Sequence, residues 1–516
     1  MQGGAAGSRS LRYLLLFAIA FAVYAITFRW TFRKVTAIVE EILLRLRLRI
    51  ADKIRQADLL SLERIDQAEI FNLLTSQARL VSETAGSLAA ALQSAILLVF
   101  AAGYLAILSV PAFFFVAVLL GSTMPAYHRR MRRANEWIQK TSDQEVEVFS
   151  TIRDLLDGFK EVKLNEHRSR DLMVDTAAEA STLRSLKVKT ADMFNVNYIA
   201  AYGAFYFVIA AVIFLLPRLI TIAPADMLKV MMTVLFIIGP LGTVIIGIQS
   251  LSKSNVAVSN MVLLEQRLDR FMQGRPEDGG VPAEAPAFNE IRMEASTFHY
   301  VDRDGNEVFR VGPLDFGFRR GEVVFIMGGN GSGKTTFLKL LTGLYPPDSG
   351  RLVLDGAVVG PGGMRAYRAL ISAIFSDFYL FRKLYGVRNA DAEVVQRLLV
   401  QFRIQDKTAF AGDRFTNLDL STGQRKRLAM IVALLEDRPI YVFDEWAADQ
   451  DPEFRRYFYE ELIPDLVARG KTIVAVTHDD RYLHAADRVI KMELGQIVSV
   501  VEQNGAPRSP GPSPAA

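Results

Sequence analysis

Cysteine is absent from this chain of 516 residues, so disulfide bonds and cysteine-based metal sites are excluded. Histidine is scarce, with five residues and no spacing typical of metal ligands. An excess of one charge sign is also missing. The 60 basic and 56 acidic residues leave a net charge of +4, which is too weak to indicate a nucleic-acid partner.

Charged residues are missing from long stretches of the first half of the chain, where residues 84–127, 193–217 and 230–252 carry none. A helix that crosses a bilayer needs roughly 20 mostly apolar residues. The run at 84–127 is too long for one span, and Pro111 divides it into two. We therefore predict an all-helical transmembrane domain over residues 1–270, with spans at about 11–29, 86–108, 111–127, 195–217 and 229–251.

The first apolar run allows a competing interpretation as a cleaved signal peptide, but no small-residue cleavage site follows it. Basic residues follow the first span, and a cluster at 128–133 follows the third. Positive charge marks the cytoplasmic side. The loops at 29–83 and 128–192 are thus expected to be cytoplasmic and to form long helices, including residues 44–49, although these alternate like a strand.

The second half is predicted to be a soluble α/β domain. Residues 271–288 are rich in glycine and proline and are interpreted as a linker, followed by the domain at 289–503. The tail at 504–516 is predicted to be disordered because its composition offers little to bury.

A glycine-rich loop is the first candidate functional motif of this domain. Residues 328–335 read GGNGSGKT, between an apolar strand and a helix. In this arrangement backbone N–H groups and a helix N-terminus surround a polyphosphate. Lys334 is expected to reach the β- and γ-phosphates, and the Thr335 hydroxyl to bind Mg²⁺.

Two further strands end in polar residues. One ends in Asp444 and Glu445, where the first carboxylate is expected to hold Mg²⁺ and the second to deprotonate the attacking water. The other ends at His478, which is expected to bind the γ-phosphate. A helix opens at Ser421 and Gly423, and its free N–H groups favour an anion.

The order of these motifs, with LSTGQ at residues 420–424 between the glycine loop and the two carboxylates, resembles the ATPase domain of ABC transporters. The resemblance implies a half-transporter that acts as a homodimer. The glycine loop of one copy then faces residues 420–424 of the other across ATP. By position, Tyr300 corresponds to the aromatic residue that stacks on adenine, and Asp451 to the loop that crosses the dimer.

The expected site is therefore extensive. The expected catalytic residues are Glu445, His478 and Lys334. The expected ATP-binding residues are Tyr300, Gly328, Asn330, Gly331, Ser332, Gly333, Lys334, Thr335, Thr336, Ser421, Gly423, Gln424 and Asp451. The expected metal ligands are Thr335, Asp444 and Ser376.

The stretches FSDFYLF at 375–381 and DEWAADQDP at 444–452 are similar to those of bacterial cyclic-peptide exporters. This implies ATP-driven export of a cyclic peptide, lipopeptide or siderophore precursor across the bacterial inner membrane by alternating access. A lipid or multidrug exporter and a non-transporting regulatory ATPase remain alternatives. Asn195, Tyr198, Tyr202 and Tyr206 recur near helical spacing and are expected either to line the cargo cavity or to form an interfacial aromatic belt.

The sequence departs from the family pattern in two places. Ser376 stands where the family has a glutamine that reaches Mg²⁺, so the serine is expected to act through water or together with Asp377. Exporters of this type have six spans, and the five found here match the second to sixth, so we expect the first span to be missing from this chain.

Overall fold

The computed structural model describes residues 3–63, 65–220, 223–272, 287–302, 306–387 and 390–503. Two compact units are present: Met1–Ala57 with Ser61–Met272, and Asp58–Leu60 with Gln273–Ala516. Residues 273–286 of the predicted linker and the predicted tail at 504–516 lie outside the described residues.

The first unit is entirely helical in the part that the structure describes. Five of its helices are long and apolar enough to cross a membrane: Leu14–Gln56, Gln67–Leu108, Val110–Asp157, Glu166–Phe214 and Pro224–Arg270. This confirms the predicted all-helical domain with five apolar helices. The helices of this half of the chain are α1 (Gly3–Gln56), α2 (Leu59–Glu63), α3 (Gln67–Asn72), α4 (Ala78–Leu108), α5 (Val110–Asp157), α6 (Phe159–Leu164), α7 (Glu166–Phe214), α8 (Leu216–Leu219) and α9 (Pro224–Met272).

Local chemistry explains where these helices end. Ser109 separates α4 from α5, and its hydroxyl accepts a hydrogen bond from the Ala112 N–H while Pro111 occupies the first turn. Gly158 ends α5, and the Asn165 side chain caps α7. Residues 44–49 lie inside α1, so the helical interpretation of that alternating segment is confirmed.

The second unit is an α/β domain. Its strands are β1 (Glu290–Val301), β2 (Glu307–Arg319), β3 (Val323–Met327), β4 (Ser349–Leu354), β5 (Ala357–Val358), β6 (Ile371–Ile374), β7 (Phe410–Ala411), β8 (Arg414–Phe415), β9 (Ile440–Asp444), β10 (Thr472–Val476), β11 (Arg488–Glu493) and β12 (Gln496–Glu502). Its helices are α10 (Lys334–Leu341), α11 (Met364–Arg368), α12 (Ala392–Gln401), α13 (Thr422–Glu436), α14 (Pro452–Tyr457) and α15 (Ile463–Ala468).

A six-stranded sheet in the order β12-β11-β3-β10-β9-β6 forms the centre of this domain. The β3, β10 and β9 side chains are almost all buried, because apolar clusters cover both faces of the sheet. Strands β11, β3, β10, β9 and β6 run parallel. Their carboxyl ends therefore meet at one edge, which is where open α/β sheets bind ligands.

Candidate active site

The glycine loop leaves β3 and enters α10 at that edge. Gly331 and Gly333 adopt φ values of 76° and 96°, a left-handed conformation that glycine adopts without strain. The Lys334 ammonium donates to the carbonyl oxygens of Gly328 and Gly329, each at 3.0 Å, so it lies inside the loop. The buried Ser332 hydroxyl has no hydrogen-bond partner among the described residues, as expected of a group that donates a hydrogen bond to a phosphate oxygen when nucleotide is bound.

Asp444 ends β9 beside this loop and is 1% exposed. Its Oδ2 accepts hydrogen bonds from the Thr335 hydroxyl at 2.9 Å and the Ser376 hydroxyl at 3.2 Å. Burial raises the pKa of Asp444 above its ordinary value, although these two hydrogen bonds oppose the shift. Three oxygen-bearing side chains thus converge here, and oxygen ligands are those that Mg²⁺ prefers.

Glu445 follows in a left-handed backbone conformation, with φ 51°. Its Oε1 lies 2.8 Å from the His478 Nε2 and 3.9 Å from the Lys334 Nζ. This conformation is uncommon for a residue with a side chain, so the surrounding contacts must maintain it. The structure therefore brings together all three side chains that the sequence predicts to be catalytic.

Tyr300 lies at the end of β1, and its hydroxyl is 3.1 Å from the Thr336 hydroxyl at the start of α10. Its ring packs edge-on against Phe298, with centroids 5.1 Å apart. The predicted adenine-stacking residue thus lies next to the phosphate loop. The geometry is consistent with a role in binding the base.

The predicted signature residues form the N-terminus of α13. The Ser421 hydroxyl and the Gln424 side chain form a reciprocal capping box that closes the first turn. In the part of the chain that the structure describes, none of the hydrogen bonds of Ser421, Gly423 or Gln424 goes to residues 328–336. The structure therefore does not join the signature to the phosphate loop of the same chain.

Asp451 caps α14 through a hydrogen bond from the Phe454 N–H at 2.9 Å, and it also pairs with Arg427. These contacts hold the pKa of Asp451 below its ordinary value, and the Phe454 N–H is the larger cause. The predicted dimer-crossing residue is therefore an ionised helix cap beside the signature helix.

The predicted cargo residues lie on α7. Asn195, Tyr198 and Tyr206 are exposed on the described helical unit, whereas Tyr202 is half-buried. The Tyr198 and Tyr202 rings are 4.4 Å apart. The exposed face is compatible with both alternatives, a cavity lining and an interfacial belt, so the cargo assignment stays a prediction.

Three residues with polar contacts or unmet polar groups were missed by sequence reasoning. Lys426 is buried in α13, Arg455 extends from α14 to the segment after Glu445, and Asn197 is buried in α7. A polar residue on the buried face of an apolar helix is the signal that could have identified Asn197. The partners of Lys426 and Arg455 are mainly backbone carbonyls, and no sequence pattern predicts which carbonyl a side chain will bind.

The geometry of the glycine loop, Asp444 and Glu445 is that of a P-loop ATPase. Residues 311–448 match the family described as ABC transporter. The ATP-binding protein SyrD of Pseudomonas syringae pv. syringae is 33% identical over 474 residues, which cover 89% of this chain and 83% of that protein. The ATP-dependent lipid A-core flippase of Paraburkholderia xenovorans (strain LB400) is 25% identical, covering 89% of this chain and 78% of that protein.

A solved structure described as a bacterial Atm1-family ABC exporter with ATP bound superposes with a TM-score of 0.78. It is 18% identical and covers 97% of this chain and 89% of that one, so it shows the shared fold. The chain belongs to the ABC transporter family, and its fold is that of an ABC exporter.

These findings confirm the predicted family, the fold class and the ATP hydrolase activity coupled to transport. The protein binds ATP and is a multi-pass membrane protein with its ATPase domain in the cytoplasm.

Proposed function

We propose that two copies of this chain hydrolyse ATP at composite sites and thereby export a peptide-like cargo by alternating access. The observation that carries this proposal is the convergence of Lys334, Asp444, Glu445 and His478 at one sheet edge. In the described part of the chain, no hydrogen bond joins Ser421, Gly423 or Gln424 to the glycine loop. A site assembled from one chain would lack the anion-binding helix N-terminus of α13. A second copy completes it.

Within each composite site the roles follow from the contacts. Thr335, Asp444 and Ser376 hold Mg²⁺, which supplies positive charge to the phosphates when bound. Glu445 accepts the proton of the attacking water, and His478 orients that carboxylate through its 2.8 Å contact and approaches the γ-phosphate. Tyr300 stacks on adenine.

Transport requires that ATP change the balance between two conformations. A shift from 1:99 to 99:1 takes about 5.5 kcal/mol of differential binding. Two ATP molecules held across a dimer interface supply this when they bind the closed form more tightly. Closure then turns the cargo cavity outward, and hydrolysis reopens the dimer.

Glu445→Gln in the full chain tests this part of the proposal. The amide keeps the shape but cannot take a proton, so we expect ATP to remain bound and the dimer to persist on size-exclusion chromatography. Glu294→Gln is the matched control, since Glu294 of β1 pairs with Arg351 of the neighbouring antiparallel strand β4 at 2.7 Å. Normal hydrolysis by Glu445→Gln would show that another group is the base.

Buried amides inside the helical unit support a cargo that carries amide groups. Asn197 is 1% exposed, and neither of its amide atoms has a partner among the described residues. The Asn135 Oδ1 and the Gln249 Nε2 are likewise unpartnered in the described part of the chain. Asn197 and Gln249 lie within predicted spans, where unpartnered polar groups are costly and commonly serve function.

The helix register brings these amides to one level. Thr141 of α5 and Thr190 of α7 approach within 3.2 Å, and Asn197 lies about two turns beyond Thr190. Gly242 of α9 is in close contact with Tyr202. Because α7 runs antiparallel to both neighbours, Asn197 lies level with the neighbourhood of Asn135 and Gln249. A peptide backbone or amide side chain would satisfy these groups.

Lipid export is the second candidate, favoured by the similarity to lipid A-core flippases over most of the chain. ATPase activity of the protein in lipid vesicles separates the two. Stimulation by secreted cyclic peptides or lipopeptides, and loss of it in Asn197→Leu, would support peptide export. Asn195→Leu is the matched control on the same helix, and a larger effect there would favour the exposed face instead.

Stimulation by lipid A alone would support the flippase alternative, and ATPase activity that no cargo changes would favour a regulatory ATPase. In cells, a strain lacking this protein should accumulate one secreted peptide in the cytoplasm.

A further inference from the structure

Lys426 is a buried lysine in the signature helix α13, only 3% exposed. Its ammonium donates to the Glu445 carbonyl oxygen at 2.7 Å and pairs with the Asp449 carboxylate at 2.7 Å. The Trp446 Nε1 returns a hydrogen bond to the Lys426 carbonyl at 2.8 Å. The helix and the segment that carries the catalytic carboxylate are thus bonded in both directions.

Burying a lysine is costly unless its charge is paired and its donors are used. Here the lysine binds the peptide group of the one residue in the site that holds a strained left-handed conformation, Glu445 with φ 51°. Strain of this kind persists only when neighbours fix it. Lys426 fixes the backbone from which the base extends.

The same helix contacts the chain further along, at residues 449–451. A Cβ atom on Gly423 would lie 2.7 Å from the Asp449 carbonyl oxygen, so the signature backbone rests directly on this segment. The Gln450 side chain donates to the Gly423 carbonyl at 3.1 Å, and Arg427 donates to the Gln450 Oε1 at 2.9 Å. The N-terminal turns of α13 and residues 445–451 therefore form one connected piece.

We propose that Lys426 is a positioning residue that makes the base of one ATP site and the signature of the other move together. The inference rests on the proposed composite dimer. In that dimer Glu445 serves the ATP on its own glycine loop, and Ser421 serves the ATP of the partner. A displacement of either one is transmitted through the Lys426 ammonium to the other, so ATP hydrolysis at the two sites is cooperative.

Lys471 provides a matched control. Its ammonium also binds one carbonyl and one carboxylate, both of Asp437, at 3.2 and 2.6 Å, and its side chain is 12% exposed. Lys471 precedes β10, whereas His478 follows that strand. Each strand residue adds about 3.3 Å, so Lys471 is separated from the catalytic edge by the length of β10. Lys471→Met removes a similar anchor without touching the site.

The experiment measures steady-state ATPase kinetics of the full chain in lipid vesicles, together with the melting temperature. A misplacement of about 1 Å can cost about 100-fold in rate, so we expect Lys426→Met to lower kcat about 10- to 100-fold. The KM for ATP should change less than about 3-fold because no substrate contact is lost. The Hill coefficient should fall to about 1 as the coupling between the sites is removed.

Lys426→Arg keeps a cation in place and should recover most of the Hill coefficient. Lys471→Met should lower the melting temperature comparably while leaving kcat and the Hill coefficient at wild-type values. Unchanged kinetics in Lys426→Met would overturn the inference, as would equal kinetic losses in Lys471→Met.

If Lys426→Met fails to fold, a substitution of Asp449, the exposed ion-pair partner of Lys426, still tests the inference. Asp449→Asn should lower the Hill coefficient in the same direction, and a wild-type Hill coefficient in that variant would refute the inference. Where Lys426→Met folds, adding Asp449→Asn to it should change little, because the pair acts as a unit. Independent, additive effects would contradict that prediction.

Glu445→Gln, measured in parallel, separates this inference from the proposed function. If it fails to trap an ATP-bound dimer, the composite site itself is wrong. If it traps the dimer while Lys426→Met has normal kinetics, only the role of Lys426 is wrong.

Discussion

Arg455 of α14 ties together the segments that follow two of the catalytic residues. Its Nε donates to the Ala447 carbonyl, and its Nη2 donates to the carbonyls of Ala448 and Gln450, each at 3.2 Å. Its Nη1 lies 3.4 Å from the Asp479 Oδ2. Replacing Arg455 with methionine keeps much of the aliphatic stem and removes all four contacts.

The expected loss of stability depends on which of these hydrogen-bond partners remain inaccessible to water after the substitution. Ala448 is exposed, so water can replace its bond, and Asp479 keeps two hydrogen bonds from Arg481, each at 2.9 Å. Ala447 and Gln450 are 5% and 4% exposed. The Ala447 carbonyl keeps a hydrogen bond from the Gln450 N–H at 3.1 Å, so the Gln450 carbonyl is the buried acceptor that loses its partner. One buried acceptor without a partner costs about 1–3 kcal/mol in the free energy of unfolding. For a domain of this size that corresponds to a melting temperature lower by about 2–12 °C.

Tryptophan emission reports this change in the intact protein. The chain has three tryptophans, and Trp446, which is 1% exposed, is the one in the ATPase unit. A background with Trp30→Phe and Trp137→Phe therefore follows the unfolding of that unit alone. Arg455→Lys should show an intermediate loss, because an ammonium lacks the planar fork that reaches several acceptors.

Arg469→Met is the matched control, since Arg469 pairs with Asp465 four residues earlier and its side chain is 63% exposed. An exposed pair of this kind contributes about 0.3–0.5 kcal/mol. If Arg455→Met melts within about 1 °C of the Arg469→Met control, the argument from the buried Gln450 carbonyl fails.

Two further predictions concern the site. Ser376→Ala should leave ATP binding intact and weaken the link between hydrolysis and transport, because the Ser376 hydroxyl contacts Asp444 at 3.2 Å; equal losses of ATPase and transport rates in vesicles would contradict it. Asp451→Asn should be less stable than the wild type at pH 7. The folded-state pKa of Asp451 lies below the unfolded value of about 3.9, so the ionised carboxylate stabilises the protein above that pH and this advantage is lost as pH falls through the folded-state pKa. Melting temperatures measured from pH 7 to below about pH 4 should converge for the two proteins, and a constant difference would refute the assignment.

Much of the architecture could be predicted from local sequence patterns. The charge-free runs determine the membrane helices, because whether a helix can cross the bilayer depends on the apolarity of about 20 consecutive residues. The glycine loop is likewise local: backbone freedom at Gly331 and Gly333 and the helix that begins at Lys334 all lie within a few residues. Each of these features could be predicted without knowing the fold.

The assembled site needed tertiary structure. The Thr335 and Asp444 side chains meet although they are 109 positions apart in the chain, and Ser376 and Asp444 are 68 apart. The parallel order of β3, β10, β9 and β6 brings them to one edge. The sequence indicated that both carboxylates end a strand, but only the sheet order decided which hydroxyls face Asp444.

The sequence alone therefore determined a membrane-embedded helical half, an ATP-hydrolysing half and the residue types that perform hydrolysis, since each depends on composition or spacing along the chain. The tertiary structure decided that Lys426 binds the Glu445 backbone, that Arg455 joins two loops and that the Asn197 amide has no partner among the residues that the structure describes. The physical reason is that backbone carbonyls are identical in every residue. Which carbonyl a buried cation meets is fixed only by packing.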